Sequence, residues 1–350
     1  MYKIRTISLS LLLAITFVAC GDSNNPLKQT PDIEISSVQD KAAADKAAVA
    51  NERTVFATGE TRSYIASDDG ANKRGLSHSY SKSSGIVTDN ITHLEWQDNT
   101  TSKKETWNDA VSYCQALTIN GLSNWRLPSM KELQSLLDLG SEPHIDATFS
   151  TAKGGKYWSS TEYPHQPSNA AYYIDFSRGF SADYGDRSVY EKSNDYAVRC
   201  VRGDKLKEGS FSRNSSKETV MDSTTNLMWE DTSHIERTSG VEDAISYCEN
   251  LTLGGFSDWK LPNINEYYTI VDRTLYDSAI NPAFEHTLSI GTSNDGDHYR
   301  GANYWTSTYY GPHSELAHVQ YYRTFNERDG ASHRCRYYMS MHTRCVRKVK

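Results

Sequence analysis

Asp109-Ala110-Val111-Ser112-Tyr113-Cys114, followed by Gly121-Leu122-Ser123-Asn124-Trp125-Arg126-Leu127-Pro128, returns later in the chain as Asp243-Ala244-Ile245-Ser246-Tyr247-Cys248 and Gly255-Phe256-Ser257-Asp258-Trp259-Lys260-Leu261-Pro262. Three further blocks extend the match outward in the same order. Ile86-Val87-Thr88-Asp89 with Leu94-Glu95-Trp96-Gln97-Asp98 recurs as Thr219-Val220-Met221-Asp222 with Leu227-Met228-Trp229-Glu230-Asp231. Tyr157-Trp158-Ser159-Ser160-Thr161 answers Tyr304-Trp305-Thr306-Ser307-Thr308, and Val198-Arg199-Cys200-Val201-Arg202 answers Thr343-Arg344-Cys345-Val346-Arg347. Five blocks in one order mark a duplicated module. The offset is 133 to 134 residues through the first three blocks and 147 at Trp158 and Trp305. The second copy therefore carries an insertion, which the Gly-, Ser-, Asn- and Asp-rich stretch Glu285 to Asn303 accommodates as a surface loop.

Each copy reads the same way locally. Ala110, Tyr113, Cys114 and Leu117 line one face of an amphipathic helix. After Leu-Pro, Ser129-Met130-Lys131-Glu132 and Asn263-Ile264-Asn265-Glu266 carry the capping-box pattern, which predicts second helices over about 130–137 and 264–271. The β-branched and aromatic segments 171–176 and 195–201 read as strands. The expectation is an α+β module of two helices followed by short, mostly antiparallel strands, made twice. Trp96, Trp125, Trp158, Trp229, Trp259 and Trp305 recur at fixed motif positions and are assigned to the cores.

The amino terminus reads as an address. Lys3 and Arg5 precede an apolar run from Ile7 to Val18, too short to span a bilayer, which ends Phe17-Val18-Ala19-Cys20. This is the pattern of a signal peptide over 1–19 that resembles a bacterial lipobox, with Cys20 lipidated as the first mature residue. Removing Lys3 and Arg5 with it takes the net charge from −7 to −9. Residues 20–58, polar and Ala-rich from Lys41 to Ala50, read as a tether. Export permits disulfides. Because Cys114 and Cys248 fall on the first helix of each copy and Cys200 and Cys345 at the end, the economical pairing is Cys114 with Cys200 and Cys248 with Cys345. Such long loops are worth ~4 to 5 kcal/mol each in the chain-entropy model. Cys335 has no counterpart and is left over.

Val-Thr-Asp, Leu-x-Trp, Trp-Arg-Leu-Pro, Trp-Ser-Ser-Thr and Arg-Cys-Val-Arg, in that order, resemble the bacterial Lcl C-terminal domain family, over about 76–203 and 209–348. Even the lead-in from Thr58 to Gly70 resembles the stretch that often precedes a first such domain. The resemblance implies a C-type-lectin-like fold related to formylglycine-generating enzymes, with a bridge from first helix to last strand. It also implies exported or surface proteins, some of them adhesins that recognise polysaccharides. The chain divides into the leader, the tether, a first domain with its lead-in over 59–203 and a second over 209–350.

Composition and motifs narrow the function. An excess of acids over bases gives no global attraction for nucleic acid. HExxH, GxSxG and P-loop patterns are absent, and eleven histidines lack ligand spacing, so neither a metal, nor a cofactor, nor a catalytic residue is assigned. Trp107-Asn108-Asp109 lies on a helix and is unmatched in the second copy, which argues against a calcium–sugar site; Glu142-Pro143-His144 is likewise unmatched, and Asp68-Asp69 reads as a solvated turn.

The one surface candidate is the carboxyl-terminal stretch from His318, with eight Lys or Arg against two acids and tyrosines among them. Arg323, Arg328, Arg334, Arg336 and Tyr337 are the candidate ligand-binding residues there, with Tyr184, Arg187 and Tyr190 in the comparable loop of the first copy. Guanidinium forks suit sulfate or carboxylate, and tyrosine faces suit sugar rings. The bland reading gives Arg344 and Arg347 to a structural strand. The expected protein is a lipid-anchored envelope lipoprotein, outer membrane favoured, whose lectin-like domains adhere to an extracellular glycan. The alternatives are a formylglycine-type enzyme or maturation factor and a structural envelope protein. Nothing in the sequence speaks to oligomeric state.

Overall fold

The computed structural model describes residues 55–99, 103–150, 155–181, 191–288, 303–313 and 316–349. Cys20, the leader, nearly all of the tether, Tyr184, Arg187, Tyr190 and most of the expected insertion lie outside them.

A short helix, α1 (Asp69–Asn72), stands in the lead-in. The first copy then opens with β1 (Tyr80–Ser83), β2 (Ile86–Asp89), β3 (Glu95–Gln97) and β4 (Lys104–Glu105). Helices α2 (Trp107–Ala116) and α3 (Met130–Gln134) follow. Then come β5 (Lys156–Glu162), β6 (Ala171–Asp175), β7 (Phe180–Ser181), β8 (Tyr196–Ala197) and β9 (Val201–Arg202). The second copy repeats the order with β10 (Phe211–Asn214), β11 (Thr219–Asp222), β12 (Leu227–Glu230) and β13 (Arg237–Thr238), then α4 (Val241–Asn250) and α5 (Ile264–Tyr268). It ends in β14 (Asn303–His313), β15 (Leu316–Asn326), β16 (Ser332–Arg336), β17 (Met341–His342) and β18 (Val346–Lys348). The fold is mostly sheet with few helices. Strands precede the helices as well as follow them, and this sequence patterning missed, because three- and four-residue strands leave little period to read.

Each copy holds two sheets. One is ordered β1-β2-β3-β9 and repeated as β10-β11-β12-β18; the other is β4-β8-β5-β6-β7, repeated as β13-β17-β14-β15-β16. The last strand of each copy thus returns to lie antiparallel beside the third, closing the module on itself. Register places Val87 opposite Trp96 and Val220 opposite Trp229, all fully buried.

All six repeated tryptophans are core residues, at 2% exposure or less. At roughly 25 cal/mol per Å² and about 200 Å² apiece, each contributes on the order of 5 kcal/mol of burial. Both capping boxes form, with Ser129 and Asn263 accepting from the backbone of Glu132 and Glu266 and the carboxylates returning the bond. The second helices are shorter than expected: Leu137 and Val271 have left the helix and pair in isolated bridges with Ile145 and Ile280. That pairing keeps an offset of 134 to 135 between copies, so the extra residues enter after Ile280, as the loop reading requires.

Disulfides join Cys114 to Cys200 and Cys248 to Cys345, each pinning the first helix to the residue just before the final strand. Cys335 stands opposite Tyr322 and packs, half-buried, against the core of the second copy. Beside each bridge lies a buried charge centre. Asp98 accepts from the Ser150 amide at 3.0 Å and from Arg199 at 3.1 Å, and pairs with Lys82. Asp231 accepts from Arg213 at 2.6 Å, Arg344 at 3.2 Å and the amides of Glu285 and His286 at 3.1 Å. The first arginine of each Arg-Cys-Val-Arg motif is therefore structural, and Arg347 is also buried and bound to Asp258.

The lead-in, grouped with the first copy on sequence grounds, is shared between both. On the first copy, the Thr58 carbonyl accepts from Leu139 N at 2.7 Å and His78 Nε2 meets the Leu137 carbonyl at 3.1 Å. On the second, Asn265 donates to the Phe56 carbonyl at 3.1 Å and Arg74 is paired with Glu266. Gly75, at φ +109°, allows the segment to turn against Phe56 and Ala57, where any Cβ would collide with backbone. Asp68 and Asp69 are buried, which corrects the reading of a solvated turn. Asp68 caps α1 and accepts from Tyr322 OH at 2.8 Å, while Asp69 accepts from Asn263 and Thr308 at 3.2 Å each.

Candidate functional site: a tyrosine–arginine face

Of the arginines singled out by the sequence, the fold separates two kinds. In the β15–β16 ladder, Tyr321 lies opposite Arg336 and Arg323 opposite Arg334, while Tyr322 and Cys335 between them share the other side of the sheet. Alternation sends Tyr322 into the core and the arginines to the opposite face. On that face the two arginines nearer the strand end are exposed, Arg334 and Arg336.

Arg323 is not on the surface: at 2% exposure it lies under the first copy, with a guanidinium nitrogen donating to the Gly179 carbonyl at 2.7 Å. Burial pulls its pKa down to about 10. It is corrected from ligand candidate to packing residue. Arg328 is half-buried at the junction of the copies, its guanidinium 4.8 Å from the ring centre of Tyr276, which also stacks on His165 at 4.6 Å. A stretch of like charges in the sequence is thus divided by the position of the first copy, which no local pattern states.

The exposed pair is held by phenols. Arg334 lies 5.3 Å from the Tyr310 ring centre and 5.8 Å from that of Tyr321, and donates to Tyr310 OH at 3.4 Å. The Tyr310 ring centre also lies 5.1 Å from the Arg323 guanidinium, so the ring contacts one buried and one exposed guanidinium. Arg336 donates to Tyr321 OH at 3.4 Å and to Tyr338 OH at 3.1 Å, and these bonds raise its pKa further. Among the described residues, no carboxylate stands within salt-bridge distance of either Arg334 or Arg336. Tyr337 meets Tyr338 edge-on at 5.3 Å.

The result is a cluster of phenol rings bearing two cations that no carboxylate among the described residues pairs. Such a surface can offer planar N–H forks to sulfate or carboxylate and flat apolar faces to rings between them. Tyr310 was missed by the sequence reading, although the Tyr309-Tyr310 doublet just after the Trp305 motif was a signal. Among the described residues, no group of three or more His, Cys, Asp or Glu is placed to hold a metal ion.

Comparison with known proteins agrees with the duplication. No curated relative matches the chain. The family model of the Lcl C-terminal domain matches twice, over residues 85–202 and 218–347, each match containing one helix pair, one disulfide and one buried Asp–Arg centre. The chain belongs to the Lcl C-terminal domain family, as two tandem copies.

Proposed function

We propose that the protein is a lipid-anchored envelope protein that binds an anionic polysaccharide on the tyrosine–arginine face of its second copy, without catalysis. The observation that carries this reading is the pair Arg334 and Arg336, exposed, oriented by phenol oxygens and unneutralised by any described carboxylate in a chain of net charge −7. Local positive charge held in fixed geometry selects anionic partners even on an acidic protein. The anchor rests on the leader ending in Cys20. A C-type-lectin-like assignment for both copies is supported by the bridge from first helix to the end of the module.

The test is binding of dextran sulfate and of neutral dextran to the protein at two salt concentrations. Binding of the sulfated polymer alone, weakened by salt and by Arg334→Ala with Arg336→Ala, is the expected result. Equal retention of both polymers, or indifference to the two substitutions, overturns it. Incorporation of labelled palmitate that Cys20→Ser abolishes tests the anchor.

A further inference from the structure

The two copies meet through the same surface of each. Register identifies the equivalent positions: Tyr157 pairs with Ile174 as Tyr304 pairs with Phe325, and Glu162 pairs with Ala171 as Tyr309 pairs with Tyr322. Tyr172 of β6 and Arg323 of β15, each one residue past the second of these pairs, therefore occupy one position of the module, and both are buried. The turns that follow also match, since the Gly179 amide donates to the Asp175 carbonyl at 2.8 Å and the Gly330 amide to the Asn326 carbonyl at 2.9 Å. Across the junction, Arg323 donates to the Gly179 carbonyl at 2.7 Å in the turn of the first copy, and Tyr172 OH donates to the Asp329 carbonyl at 3.3 Å in the turn of the second. Each copy thus reaches from the same position into the other's turn, and the equivalent edge strands β7 and β16 adjoin. Reciprocal contact between equivalent residues is the mark of a two-fold interface.

The symmetry stops at the arginines. Arg273, two residues past Val271, donates to the Asp329 and Gly330 carbonyls of its own copy at 3.3 and 3.2 Å and lies 4.9 Å from the Tyr172 ring centre. Its counterpart, two residues past Leu137, is the buried Leu139. The equivalent glycine carbonyls are therefore served differently: Gly330 by an arginine of its own copy, Gly179 by one from across the junction. Pairing like with like would upset this. Two second copies would bring Arg323 of one to a turn already holding Arg273 of the other, two guanidiniums at one site. Two first copies would offer only Leu139 and Tyr172 at these positions, and neither carries a guanidinium.

We infer that this surface is a pairing interface specific for unlike copies: two-fold in geometry, made selective by Arg273 and Arg323 on the second copy and by Leu139 and Tyr172 on the first, and sufficient to hold the copies together without the peptide link between them. The partner each copy fits is the other copy, not a like copy of a second chain. Tyr172 adds selectivity from its own side, because its ring takes the Arg273 cation while its hydroxyl shares the Asp329 carbonyl. No ligand enters this argument, so it stands apart from the proposed polysaccharide binding.

The experiment places a cleavage sequence for a site-specific protease between Glu208 and Gly209, in the exposed link between the copies, and cuts the folded full chain. Sedimentation over a dilution series then gives the dissociation constant of the two halves. The lead-in, which also touches the second copy, stays with the first half and is common to every variant. Wild-type halves are expected to sediment together. Tyr172→Arg, which sets a second guanidinium beside Arg273, is expected to raise the dissociation constant at least about tenfold. Adding Arg273→Leu gives each turn one guanidinium from across the junction and is expected to bring the constant back to within about threefold of the wild type. Arg323→Leu, which leaves Tyr172 and Arg273 in place, is also expected to weaken pairing at least about tenfold, and it decides the matter should Tyr172→Arg not fold. Wild-type halves that separate at micromolar concentration overturn the inference, as does wild-type affinity in folded Tyr172→Arg or in Arg323→Leu. A loss in Tyr172→Arg that Arg273→Leu does not recover overturns the assignment of selectivity to the arginines.

Discussion

Arg74, which precedes the first family copy, donates to both carboxylate oxygens of Glu266 in the second, at 3.1 and 2.8 Å, and to the Leu261 carbonyl at 2.6 Å. In the first copy the equivalent carboxylate, Glu132, is served from within its own copy by Arg126, at 2.7 and 2.6 Å. The residue matching Arg126 is Lys260, which turns instead to Glu249 at 2.8 Å. The lead-in has taken over a contact that the second copy does not make for itself.

Arg74→Ala should therefore destabilise the protein by about 2 to 4 kcal/mol, since it strands a buried carboxylate that also closes a capping box. Adding Lys260→Arg should recover part of that loss by restoring the first copy's arrangement. Chemical denaturation of wild type, single and double variants measures both steps; a double variant no more stable than Arg74→Ala would refute the equivalence of the two sites.

Asp69 gives the docked lead-in a pH response. Burial pushes its carboxyl from 3.8 up to about 6, against hydrogen bonds from Thr58 and Thr308 and the nearby charge of Arg74. The folded protein then holds this proton more tightly than the unfolded chain does. Its contribution is full below the unfolded value and is lost as pH rises through about 6. That loss is on the order of 2 to 3 kcal/mol between those limits. Glu230 and Glu327, also raised by burial, act in the same direction. Unfolding free energies measured from about pH 4 to about pH 7, the window in which such a carboxyl titrates, should show a slope that Asp69→Asn reduces; an unchanged slope would mean Asp69 does not titrate there.

The two arginines flanking Tyr310 should behave oppositely. Arg323→Ala empties a buried position and breaks its bond to Gly179, so it should cost about 2 to 4 kcal/mol. Arg334→Ala should leave the melting temperature unchanged and affect polysaccharide binding alone. Thermal unfolding alongside dextran sulfate binding separates them, and a stable Arg323→Ala protein would contradict its assignment to packing.

Each disulfide closes a long loop, with 86 residues of separation in the first copy and 97 in the second. Replacing either pair by alanine should cost about 4 to 5 kcal/mol in the chain-entropy model. Melting with and without reductant, compared with each double-alanine variant, checks the size. A reductant effect that persists when both pairs are absent would point to Cys335.

What the sequence determined by itself was whatever repeats or is local: two copies, the capped second helices, the tryptophan cores, and the pairing of four cysteines. These follow from period, capping chemistry and equivalent position, which a one-dimensional string preserves. The same string listed Arg323, Arg328, Arg334 and Arg336 as one basic stretch and Asp68-Asp69 as a solvated turn. Only the tertiary structure decided between them, because burial is set by what packs over a residue from far away in the chain. Gly179 of the first copy covers Arg323, Tyr276 takes Arg328, and β15 buries Asp68 beneath Tyr322. Tyr64 reaches the edge of the second core for the same reason: it is 245 residues from Tyr309 in the chain and stacked on it in the fold.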